Sequence, residues 1–104
     1  MKTNTYTLFV GLNDKVTKLQ EISTLNAYKM AMNVVGDICG GGTISEAQGF
    51  YTHDSGEIVI EQSLRIELSM VNEEQVMEVI EKLKVVLNQE SVLMQAQVVE
   101  NKYV

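Results

Sequence analysis

Between Glu57 and Met70 the chain alternates almost without a break. Ile58, Ile60, Gln62, Leu64, Ile66, Leu68 and Met70 form one set, apolar at every position but one. Glu57, Val59, Glu61, Ser63, Arg65, Glu67 and Ser69 form the other, mostly polar. Successive side chains of a strand point to opposite faces, so this pattern predicts a strand with one buried and one wet face. Thr43 to Thr52, rich in β-branched and aromatic residues, reads as a preceding strand. His53-Asp54-Ser55-Gly56 joins the two: Asp can bond the backbone ahead of it, and Gly can take a positive φ. The segment is a hairpin.

A helix follows, with signals at both ends. Asn72 can cap it, Gln75 can reach back to the cap, and Val71 can pack on Val76. Glu73 and Glu74 lie at the positive end of its dipole, Lys82 and Lys84 near the negative end. Val76, Val79, Ile80, Leu83, Val86 and Leu87 make one apolar stripe, and Glu78 and Lys82 pair on another face.

Thr5 to Leu12 reads as an opening strand and Val92 to Val99 as a closing one. A helix is expected from about Ser23 to Cys39, with Leu25, Tyr28, Ala31, Met32, Val35 and Ile38 on one side. Gly40-Gly41-Gly42 ends it, because a left-handed cap costs glycine little. The order β-α-β-β-α-β implies an α+β, ferredoxin-like βαββαβ sandwich: a four-stranded antiparallel sheet with two helices on one face.

A chain of 104 residues makes one domain, spanning 1–104, without needing staples. Its start has no apolar run long enough for a signal peptide or membrane span, and a cytoplasmic or phage-infected-cell setting is expected, with no membrane partner. Cys39 is the one cysteine and has no internal disulfide partner. Acids outnumber bases 14 to 8, for a net charge of −6, and the lysines are scattered. Nucleic-acid binding needs clustered positive charge, so no nucleic-acid partner is expected.

The residues offer no catalytic constellation or metal-ligand cluster, and no cofactor is expected. Two polar loops are the ligand-binding candidates: Asn13, Asp14 and Lys15 after the first strand, and Gln89, Glu90 and Ser91 before the last. The first and last strands of this fold run antiparallel side by side, so the two loops can converge on one cleft. There Lys15 would hold an anionic or carbonyl group, while Asn13 and Gln89 would read hydrogen-bonding edges. Each loop also reads as an ordinary capped turn. Gly40-Gly41-Gly42-Thr43 follows a helix rather than opening one, and so lacks the phosphate-loop order. His53 beside Asp54 fits a solvated turn. Glu61, Arg65 and Glu67 on the wet face fit either a soluble surface or salt bridges between subunits.

Gly42-Thr43-Ile44-Ser45-Glu46-Ala47-Gln48-Gly49-Phe50 resembles the second strand of PII signalling proteins, Gly-x-Thr-[Val/Ile]-[Ser/Thr]-Glu-x-x-Gly-[Phe/Tyr]. Leu64-Arg65-Ile66-Glu67-Leu68 and Asn72-Glu73-Glu74-Gln75-Val76 are similar to that family's third strand and second helix, and the likeness runs from Gly42 to Val99. It implies a ferredoxin-like fold and, as in PII and the related CutA proteins, a trimer; PII binds adenine nucleotides and 2-oxoglutarate between subunits. The departures fall where function lies. The long regulatory loop is reduced to His53–Gly56, the Gly- and Lys-rich phosphate loop is replaced by Asn88-Gln89-Glu90-Ser91, and the C-terminal arginines have no counterpart in Glu100-Asn101-Lys102-Tyr103-Val104.

The expectation from sequence is a non-enzymatic, oligomeric PII-like or CutA-like protein, a trimer, binding a small polar metabolite or nucleotide between subunits. Self-association is also expected from Leu8, Phe9 and Val10, and from Val92, Leu93 and Met94, which are apolar at both parities while helices cover one face. The second reading is a phage or mobile-element accessory protein acting by contact with a host protein. The third is a small enzyme.

Overall fold

The computed structural model describes residues 2–104. Its elements are β1 (Lys2–Gly11), α1 (Thr24–Cys39), β2 (Thr43–Thr52), β3 (Ile58–Ser69), α2 (Glu73–Val86) and β4 (Leu93–Glu100). The strands form one antiparallel sheet in the order β2-β3-β1-β4. This is the ferredoxin-like arrangement that the element order implies.

The helix-facing rows of the two central strands make the core. Tyr6, Leu8 and Val10 of β1, and Leu64, Ile66 and Leu68 of β3, are buried against Ala27, Ala31 and Val35 of α1 and Val76, Val79, Ile80 and Leu83 of α2. Asn72 caps α2: its Oδ1 accepts from Gln75 N–H at 2.8 Å, and Gln75 Oε1 accepts from Asn72 N–H at 3.0 Å. Both orphan donors are satisfied reciprocally. Ser23 caps α1, and Gly40, at φ 80°, ends it in the left-handed conformation. His53 N–H donates to the Glu57 carbonyl and Gly56 N–H to that of His53, closing the hairpin turn, with Gly56 at φ 88°.

Three details differ from expectation. The buried face of α1 is centred on Ala27, Ala31 and Val35, so Leu25 (59 % exposed) and Met32 (49 %) fall outside it. Small alanines let the helix sit close to the sheet, and the larger neighbours turn outward. Val86 likewise lies at the exposed margin of the α2 stripe. The alternation of β3 buries side chains only from Leu64 onward; Ile58 and Ile60, with Phe50 opposite Ile60, remain exposed because the hairpin runs on past the helices.

The face of the sheet turned away from the helices carries Thr3, Thr5, Thr7, Phe9 and Gly11 from β1, flanked by Ser63, Arg65 and Glu67. Phe9 pairs across the ladder with Leu93, an apolar spot among hydroxyls and charges. The larger exposed apolar surface is on the hairpin instead.

Leu83 is fully buried at the centre of α2. Leu83→Ala should cost about 2–5 kcal/mol in chemical denaturation. A loss within about 0.5 kcal/mol, the scale of a surface change, would remove α2 from the core.

Candidate functional site

The loop after β1 is built by Asp14. Its Oδ1 accepts from the N–H groups of Val16 (2.8 Å) and Thr17 (3.2 Å), and its own N–H donates to the Leu19 carbonyl. The loop after α2 is built by Asn88, which takes a left-handed φ of 50° and turns the chain toward β4. The two loops are then joined. Asn88 Nδ2 donates to Asp14 Oδ2 at 2.7 Å, Gln89 Nε2 to the Asn13 carbonyl at 2.9 Å, and Lys15 N–H to the Asn88 carbonyl at 3.1 Å. The convergence expected from antiparallel β1 and β4 is present, and a network of polar bonds holds it.

Beside this junction lies a cleft of about 510 Å³, within the size range of small-molecule sites. Asn13, Asp14, Lys15, Gln89, Glu90 and Ser91 all border it. Their roles differ from a row of free contacts, however. Gln89 is buried, and its amide is committed to the Asn13 and Leu87 carbonyls. Asp14 has both oxygens engaged, so these two residues shape the wall. Lys15, Glu90 and Ser91 are exposed along it. Lys18 also borders the cleft, but its Nζ donates to the Lys15 carbonyl at 2.8 Å.

The opposite wall comes from the hairpin: Tyr51, His53, Val59 and Glu61. Tyr51 and His53 meet edge to face, with ring centroids 5.3 Å apart. Glu61 is half-buried, and its Oε2 accepts from Asn13 N–H at 2.9 Å. Among the described residues no salt bridge neutralises it; the ion pair on the same strand joins Arg65 to Glu67 at 2.8 Å. Sequence reasoning placed Glu61 among the wet-face charges and His53 in a solvated turn, and did not single out Tyr51 or Val59. The signal was weak, because it lies in the register that brings the β3 outer row beside the end of β1.

Elsewhere the chemistry is plain. Burial pushes the Cys39 thiol up, with Glu78 adding to the shift, so it is not an activated nucleophile. Among the described residues no three His, Cys, Asp or Glu side chains gather as a metal site, and no helix is long and apolar enough to cross a membrane.

No protein-family model and no curated protein matches the sequence. Solved structures do match in fold. A phage SAM lyase in complex with S-methyl-5'-thioadenosine is similar at a TM-score of 0.64 and 24 % identity, over 90 % of this chain and 79 % of that one. A phage SAM lyase in its apo state is similar at 0.64 and 21 %, over 93 % and 81 %. A Bacillus cereus protein related to NIF3 is similar at 0.61 and 14 %, over 97 % of this chain but 27 % of that one. At these identities the likeness establishes the ferredoxin-like fold.

The expectation of a non-enzymatic PII-like protein is corrected, since the two phage SAM lyase structures matched over about four-fifths of their length are not PII-like sensors but an enzyme. The local physics agrees. The loop that would have to grip an anionic nucleotide carries Glu90, and its Gln89 is bonded inward.

The Asn88 amide beside Asp14 holds its carboxyl below the usual carboxylate range, aided by the N–H groups of Val16 and Thr17. A carboxylate depressed in the folded state contributes stability above its unfolded pKa and loses it as pH falls through the folded one. Asp14→Ala should therefore lower the melting temperature at neutral pH, and the gap to the parent should close as pH falls below the carboxylate range. A gap that is constant with pH would show that the Asp14 charge does not hold the loops.

Proposed function

We propose that the chain is a small enzyme that binds S-adenosylmethionine in this cleft and breaks it to S-methyl-5'-thioadenosine. The supporting observation is the pairing of a positioned carboxylate, Glu61, in no salt bridge among the described residues, with an aromatic wall, Tyr51 and His53, in a cleft of about 510 Å³. The fold likeness to a phage SAM lyase points the same way.

The substrate's chemistry fits the site's electrostatics. S-adenosylmethionine carries a sulfonium and an ammonium against one carboxylate, so its net charge is positive. A chain of net charge −6 attracts such a molecule, whereas it repels a nucleoside triphosphate. The adenine ring offers a flat apolar face to Tyr51 and a polar edge to the loop walls. Lys15, exposed on the loop across the cleft, would take the carboxylate of the amino-acid end.

An oxygen of the substrate's own carboxylate bonds to the γ carbon of the amino-acid chain as the carbon–sulfur bond breaks, so a five-membered lactone forms, both bonding electrons pass to sulfur, and the thioether leaves uncharged. No acid is needed to protonate the leaving group; the cleft must position the substrate and exclude water. Positive charge at sulfur is largest in the bound substrate and fades along the reaction. A carboxylate facing it therefore strengthens binding more than it lowers the barrier.

Glu61→Gln should weaken S-adenosylmethionine binding roughly tenfold by calorimetry. It should leave the affinity for uncharged S-methyl-5'-thioadenosine nearly unchanged. Equal losses for both compounds, or a parent that neither binds S-adenosylmethionine nor releases S-methyl-5'-thioadenosine from it, would overturn the reading.

We also propose that the chain self-associates, most simply as a homotrimer, with the exposed apolar row of Phe50, Ile58 and Ile60 covered by another copy. These side chains lie together on a hairpin whose own ladder is complete, so only a further contact can remove them from water. Light scattering should give a multiple of the 11.6 kDa chain mass. A stable monomer at micromolar concentration would refute it.

A further inference from the structure

Gly11, the last residue of β1, pairs with Ser63, and Glu61 lies two residues before Ser63 on the same outer face of β3. A Cβ built on Gly11 would lie 2.6 Å from Cδ, Oε1 and Oε2 of Glu61, well inside van der Waals contact. The carboxylate therefore rests flat on the bare backbone of Gly11, in the space any other residue would fill. From there Oε2 takes the Asn13 N–H at 2.9 Å. Gly49, paired with Glu61 from the other side, is different. A Cβ there would find Ser63 Oγ at 3.6 Å and the Glu61 carbonyl at 3.8 Å, ordinary distances that leave the carboxylate alone.

We infer that Gly11 is a positioning residue: by having no side chain it lets the Glu61 carboxylate lie across the end of β1 and be fixed there by the Asn13 amide, aimed into the cleft. Gly11 touches no ligand and acts through Glu61. The clash in a Gly11→Ala variant would be with the far end of a flexible side chain, so the fold should yield by swinging Glu61 away, not by moving the strand. Stability and site geometry are then separable.

The identity of the ligand rests on the function proposed above; the geometry of Glu61 does not. Two readouts keep them apart. Without ligand, NMR of Gly11→Ala should show the Asn13 amide proton moving upfield as its acceptor leaves, and the Glu61 side-chain carboxyl carbon changing its chemical shift. Gly49→Ala should change neither, and both variants should melt within about 4 °C of the parent. With S-adenosylmethionine as probe, Gly11→Ala should weaken binding roughly tenfold, and Gly49→Ala should not. In a Glu61→Ala background, Gly11→Ala should have no further effect, since nothing is left to displace.

An unmoved Asn13 amide and an unshifted Glu61 carboxyl carbon in Gly11→Ala would overturn the inference whatever the protein binds. Moved signals with unaltered S-adenosylmethionine affinity would uphold the positioning and sink the site proposed for that ligand. If Gly11→Ala alone fails to fold, the double variant decides. Folding restored by Glu61→Ala confirms the clash, and a double variant that also fails means that Gly11 serves the backbone and the inference falls.

Discussion

The burial of one row of side chains on each of two central strands is the constraint on which the rest depends. Leu8 and Val10 of β1 lie beside Leu64 and Ile66 of β3, all out of water beneath two helices. Because the period of a strand is two, fixing that row toward the helices fixes its complement toward the open face. Phe9, Gly11, Glu61, Ser63, Arg65 and Glu67 are therefore outward by default. The cleft is built from the part of this outer row that lies past the end of β1, where the hairpin extends and two loops rise beside it.

The loops owe their order to polar bonds instead of apolar packing. Asp14 turns the first on itself, Asn88 turns the second, and one hydrogen bond of 2.7 Å ties the two side chains together. Gln89, buried beneath them, satisfies a carbonyl from each loop. An unpaired amide at that depth would cost about 1–3 kcal/mol, so a buried glutamine here locks the junction into one arrangement. The rigid wall so formed is what gives an exposed side chain such as Lys15 a defined place opposite the hairpin.

Charge then selects among ligands. The same fold can serve sites for anions when a loop presents lysines and backbone amides, and here that loop presents Glu90 and a committed Gln89. The opposite wall offers the Glu61 carboxylate, which makes no salt bridge among the described residues. Such a site has more to offer a cation bearing an aromatic base than a phosphate chain. This is the physical content of the proposal that the cleft takes a sulfonium compound.

The hairpin, both helix caps, the glycine stop after α1 and the β-α-β-β-α-β order were legible in the chain, because each rests on contacts between residues close in sequence. Period-two alternation, the Asn72–Gln75 box and a left-handed Gly40 are local devices. The two polar loops were also legible as neighbours, since antiparallel β1 and β4 leave them no other place. What only the tertiary structure decided is depth and register. Which face of α1 lies on the sheet, how far β3 runs past the helices, and the approach of Glu61 to Gly11 depend on how elements distant in sequence come to rest against one another. Glu61 looked like one more solvated charge until the ladder set it against a residue with no side chain. Its position follows from the pairing of β3 with β1, about 50 residues apart, and no local pattern encodes that distance.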